Sequence, residues 1–128
     1  MSQLTRVLYV EDEPDIQTVV KLALEIVGGF TVKICSSGEE ALREAKNFAP
    51  DMILLDVMMP GMNGPGTLQA LRELPATQKT LVVFMTARVE PTDLAFYQSL
   101  GVQDIIPKPF EPMKLSEQMH AIWKKQHD

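Results

Sequence analysis

The chain has 128 residues, of which 45% are apolar and 23% charged, with a formal net charge of -5 and one cysteine. That size and balance fit one globular domain whose core needs no disulfide staples, and they exclude fibrous, disordered and disulfide-scaffold classes. No basic block offers the clustered Lys and Arg that phosphate contacts need, so direct nucleic-acid binding is not expected, and no apolar run approaches the roughly 20 residues of a membrane span.

The start, Met1-Ser2-Gln3-Leu4-Thr5-Arg6, has no long apolar run of the kind a secretory leader carries. With Cys35 as the only thiol, a reducing, cytoplasmic setting is the expectation. Arg6 to Val10 reads as a short strand running into Glu11-Asp12-Glu13-Pro14, with Pro14 tolerated near a helix start. Ile16, Val19, Val20, Ala23 and Val27 then recur at helical spacing as one buried face, ended by Gly28-Gly29. Phe30 to Cys35 reads as a second strand. Ser37 caps the next helix and Glu40 completes a capping box, with Ala41, Leu42, Ala45 and Phe48 facing inward. Pro50-Asp51 breaks that helix.

Met52-Ile53-Leu54-Leu55-Asp56 is an almost continuous apolar strand. Continuous rather than alternating apolarity predicts a parallel strand covered on both faces. Pro60-Gly61-Met62-Asn63-Gly64-Pro65-Gly66 is a loop, followed by a helix through Leu68, Leu71 and Leu74. Leu81 to Met85 forms a fourth strand ending at Thr86-Ala87-Arg88. Pro91 to Leu100 is a helix stopped by Gly101, and Asp104 to Pro107 is a short fifth strand. Glu111 to Lys125 is the last helix, with Leu115, Met119, Ile122 and Trp123 on one face. Strands alternating with helices call for right-handed crossovers and an open parallel sheet.

In such sheets, ligands bind beyond the carboxyl ends of the strands. Those ends carry Glu11 and Asp12, then Asp56, then Thr86, with Lys108 just past the fifth strand. Clustered carboxylates repel one another and call for a cation. Oxygen donors in an open geometry suit magnesium, which bridges to phosphate. A carboxylate is also a nucleophile toward phosphorus, and phosphoryl transfer needs mainly positioning and charge neutralisation. Strand-end acids are often only solvated loop residues, Lys108 alone would pass for a surface lysine, and Thr86 alone is a weak signal. The apolar strand running straight into Asp56, and the placement of Lys108 between Pro107 and Pro109, favour the site reading.

Val10-Glu11-Asp12-Glu13-Pro14, Leu54-Leu55-Asp56-Val57-Met58-Met59-Pro60-Gly61-Met62-Asn63-Gly64, Met85-Thr86-Ala87-Arg88 and Lys108-Pro109-Phe110 together resemble the receiver domains of two-component response regulators. The chemotaxis-regulator family is the best-known stand-alone form of these domains, and the chain resembles that form. It spans Val7 to about Ile122 and implies a flavodoxin-like α/β fold with strand order 2-1-3-4-5. It implies one receiver domain over residues 1–128 with no output domain. Asp56 would receive a phosphoryl group from a sensor histidine kinase or a phosphotransfer protein. Glu11, Asp12, Asp56 and the Met58 backbone carbonyl would hold magnesium, with manganese as a substitute. Lys108 would pair with Asp56 and then with the phosphoryl group, Thr86 would swing toward it, and the Lys108–Pro109 bond would be cis. A downstream protein would bind the face of helix four, strand five and helix five, to a monomer or a phosphorylation-linked dimer. The domain would act as a self-hydrolysing acceptor rather than a turnover enzyme.

Ile105 departs from the family, which often has an aromatic switch residue there. Output is therefore expected from backbone shifts in the loop after Thr86 and in the fourth helix. Met58 cannot position an attacking water by hydrogen bonding, and Arg88 would pair with phosphoryl oxygens, so slow self-dephosphorylation is expected. His120 and His127 are two turns apart, roughly 10 Å, too far to share a metal. Met113, Met119 and Trp123 weigh between a partner face and sheet packing, with packing the safer reading for Met119 and Trp123. Three alternatives remain. An aspartyl-phosphate phosphohydrolase would carry a second Asp at the Met58 position. A non-phosphorylated interaction module would have lost one of the site residues. A flavin carrier would have a phosphate-cradling loop after the first strand.

Overall fold

In a computed structural model describing residues 3–127, the short apolar runs form five parallel strands. They are β1 (Arg6–Val10), β2 (Thr31–Cys35), β3 (Met52–Asp56), β4 (Leu81–Thr86) and β5 (Asp104–Pro107). The helices are α1 (Pro14–Leu22), α2 (Gly38–Phe48), α3 (Gly64–Glu73), α4 (Pro91–Ser99) and α5 (Pro112–His127). Met1 and Ser2, at which the sequence reading of the start began, lie outside the described residues, as does Asp128. The strand order is β2-β1-β3-β4-β5, so the flavodoxin-like expectation holds in order and direction. The reversal of winding falls between β1 and β3, whose register pairs Val10 with Leu55.

Period-two alternation sends neighbouring side chains to opposite faces of the sheet. Val7, Tyr9, Leu54, Val83 and Met85 pack with Val20, Leu24, Leu115 and Met119, under α1 and α5. Leu8, Val10, Ile53, Leu55 and Phe84 pack with Ala41, Ala45, Leu68 and Tyr97, under α2, α3 and α4. All five residues of β3 are buried, which is why its sequence lacks alternation. No helix among the described residues is long and apolar enough to cross a membrane.

Three local readings need correction. The buried face of α1 does not run through Val19 and Val27, which are exposed, but through Val20, Ala23 and Leu24. For Val27 the cause is a π-helical turn over Ala23–Val27, closed by a bond from Gly28 N–H to Ala23 O at 3.2 Å. The extra residue in that turn moves Gly28 to the inward position that an unbroken α-helix would give Val27. A Cβ on Gly28 would stand 2.8 Å from Ser116 Cβ and from the Phe30 ring, so α5 approaches this turn as closely as glycine allows.

The capping box at α2 is half as expected. Ser37 Oγ accepts from Glu40 N–H at 3.1 Å, but the Glu40 carboxylate reaches past the cap to Ser36 N–H at 2.7 Å. Leu74 caps the end of α3 and does not lie within it. In α5, Met119 is buried against the sheet while Met113 is exposed, and Trp123 is partly buried against the same core.

Candidate functional site

The carboxyl edge of the sheet gathers the five side chains that strand-end reasoning singled out. Glu11 and Asp12 follow β1, Asp56 ends β3, Thr86 ends β4, and Lys108 follows β5. One carboxylate oxygen each from Glu11, Asp12 and Asp56 lie within 4.8 Å of one another. Lys108 Nζ donates to Asp56 Oδ1 at 2.9 Å and to Glu11 Oε1 at 3.1 Å. The Lys108 amide is fixed in turn, donating to the Thr86 carbonyl at 2.9 Å. The Lys108–Pro109 bond is cis, as the family resemblance implied.

Three carboxylates against one ammonium leave this edge acidic, and Glu11 and Asp56 are buried. Burial pushes the Asp56 carboxyl up to about 6. The Lys108 hydrogen bond opposes that shift, and the neighbouring Glu11 and Asp12 charges reinforce it. Burial pulls the Lys108 ammonium down, but Asp56 and Glu11 outweigh it and the net shift is upward. An all-oxygen donor set of clustered carboxylates with excess negative charge is chemistry that a hard divalent cation satisfies. Glu11, Asp12 and Asp56 therefore fit such an ion.

Thr86 is buried, and its hydroxyl accepts from Arg88 N–H at 3.0 Å. Arg88 and Met58 are exposed, and both line an open groove of about 540 Å³ together with Val57, Met59 and Tyr97. Ile105 pairs with Phe84 across the β4–β5 ladder and is partly buried in the layer under α4. His120 packs against Phe30 with centroids 4.9 Å apart, and His127 stacks on Trp123 at 3.8 Å. The two histidines thus have separate neighbours, as their spacing required.

Two supporting residues escaped the sequence reading. The Tyr9 hydroxyl donates to Glu11 Oε1 at 3.2 Å, and the Gln17 amide donates to the Glu11 carbonyl and to Ser36 Oγ. The signal for Tyr9 was its place two residues before Glu11, on the same face of an otherwise aliphatic strand. Gln17 left no comparable trace.

The model for the response regulator receiver domain matches residues 7–120. This chain belongs to that family. The receiver domain is 37% identical over 124 residues to the transcriptional regulatory protein CpxR of Escherichia coli (strain K12), covering 97% of this chain and 51% of that protein. It is 35% identical over 122 residues to the alkaline phosphatase synthesis transcriptional regulatory protein PhoP of Bacillus subtilis (strain 168), covering 94% and 49%. The receiver domain thus spans about half the length of the curated relatives it matches. Among solved structures it superimposes on the chemotaxis protein CheY4 of Vibrio cholerae with a TM-score of 0.86. That match has 28% identity and covers 94% of this chain and 99% of that one.

Proposed function

We propose that Asp56 of this receiver domain accepts a phosphoryl group from a phosphohistidine on a sensor kinase or phosphotransfer protein, in a magnesium-dependent reaction. The observation that carries the reading is the buried Asp56 carboxylate, held at 2.9 Å by Lys108 and flanked by two further acids. An Asp56 oxygen attacks phosphorus and the P–N bond breaks, with the imidazole nitrogen keeping the electron pair. Glu11, Asp12, Asp56 and the Met58 carbonyl would hold the magnesium, and manganese would substitute. The bound ion would neutralise charge on the transferring oxygens. Lys108 orients Asp56 beforehand and then pairs with a phosphoryl oxygen. The Thr86 hydroxyl leaves Arg88 N–H and donates to another. Arg88 reaches the group from the groove side.

The acceptor turns over only by losing its own phosphoryl group, so it is a switch and not a turnover enzyme. Exposed Met58 stands where an aspartyl-phosphate hydrolase would place its acid/base carboxyl. The output reading keeps to α4, β5 and α5, where Ile105 and Ile122 line a groove of about 270 Å³ with Gln118 and Lys125. A downstream protein would read that face, and the domain itself would not contact nucleic acid. A cytoplasmic setting belongs to the same reading, supported by a lone thiol, Cys35, that is buried.

The test is labelling by acetyl phosphate with magnesium, followed by mass spectrometry. A single added phosphoryl group on Asp56, absent from Asp56→Asn and suppressed by a chelator, is expected. Labelling that persists in Asp56→Asn would overturn the assignment.

A further inference from the structure

Tyr9 is fully buried in the layer with Val20, Leu24 and Leu115. Phenylalanine would fill such an apolar position without the burden of a hydroxyl, because a buried hydroxyl is unfavourable unless it is bonded. Its only hydrogen-bond partner among the described residues is Glu11 Oε1 at 3.2 Å. The same oxygen accepts from Lys108 Nζ at 3.1 Å, and Glu11 Oε2 accepts from Glu13 N–H at 3.2 Å. Glutamate has one more rotatable bond than aspartate, so a glutamate carboxylate needs more restraint to hold one orientation. Glu11 receives it from three donors, and only Tyr9 approaches from inside the core. Through the shared oxygen, the position of Tyr9 also bears on Lys108 and hence on Asp56.

We propose that Tyr9 is a positioning residue, a phenol that fixes the Glu11 carboxylate for the cation and steadies the Lys108–Asp56 pair beside it. The proposal rests on the magnesium reading of the site. It adds a contribution from the core, since the hydroxyl preorganises an acid that touches the ion without touching it itself.

Tyr9→Phe keeps the ring and removes only the donor. Isothermal titration with magnesium alone should show a Kd about tenfold weaker than wild type, the low end for lost outer partners of metal ligands. The magnesium concentration giving half-maximal acetyl phosphate labelling should rise by the same factor. Circular dichroism should show the fold retained. With Glu11→Ala already present, which removes the acceptor, Tyr9→Phe should shift the Kd by less than about twofold, because the two groups act through one bond. An unchanged or tighter Kd in Tyr9→Phe overturns the positioning role while the site stands. A wild-type domain that does not bind magnesium overturns both.

Discussion

Asp56 binds its proton more tightly in the folded domain than in the unfolded chain, because burial raises it from 3.8 to about 6. A carboxyl raised in this way favours the folded state at low pH. Its contribution declines as the pH climbs from about 4 to about 6 and is lost above that, where a charge must be buried. In chelator, Asp56→Asn should therefore stabilise the domain at pH 7 by on the order of 1–3 kcal/mol. The gain should shrink toward zero at pH 4, as read from urea unfolding at both pH values. Met58, exposed on the groove beside Asp56, gives a kinetic counterpart. Met58→Asn introduces an amide that can orient water, and should speed decay of the phosphorylated domain by roughly tenfold, followed by intact-protein mass spectrometry. The residues assigned to the chemistry were legible because each ends or closely follows a strand, and the fold brings strand ends together. Tyr9 and Gln17 act through partners, and the contacts that define them exist only once β1 and α1 are packed.

The π-helical turn at Ala23–Val27 shows where a periodic reading breaks down. A period of 3.6 assigns Val27 to the core, and one inserted residue hands that place to Gly28. Gly28→Ala should cost about 1–3 kcal/mol, the range for overpacking, because its Cβ would meet Leu24 O, the Phe30 ring and Ser116 Cβ, each at 2.8 Å. A lowered thermal midpoint with unaltered phosphorylation chemistry is the expected readout. Strands were easier to read than helix faces. All five were found, and the bounds of β1, β3 and β5 agree with the sequence reading, because turn formers or charged residues bracket compact apolar runs. The distal arm of the Ser37 cap was not readable, since choosing between Ser36 and Ser37 N–H depends on the loop path.

Across the sheet, burial is uneven in a way that suits signalling. All five residues of β3 are buried, whereas α4 buries only Tyr97, whose ring meets Phe84 edge-on at 5.5 Å; α1 likewise buries only Val20, but its π-helical continuation adds Ala23 and Leu24 to the core. Few buried apolar contacts mean a low cost of local opening. Amide exchange should be fastest, among the helices, in residues 91–99. Phosphorylation should change protection there and in the loop from 87 to 90, leaving β1 and β3 nearly constant. Equal changes in all helices would count against α4 as the moving part. The parallel sheet and its strand order were predictable from strand–helix alternation and the family resemblance. The looseness of α4 was not, because it depends on how little of one helix meets the rest.

Strand order β2-β1-β3-β4-β5 divides the labour within one small site. Every carboxylate that would grip a cation hangs from the two central ribbons, while the hydroxyl and the ammonium hang from the two on one flank. On the proposed reading, ion capture and message output would draw on neighbouring parts of the scaffold joined through Lys108, which bonds both Glu11 and Asp56. Changes on the flank that spare that lysine would retune the output with the grip on the ion left as it was.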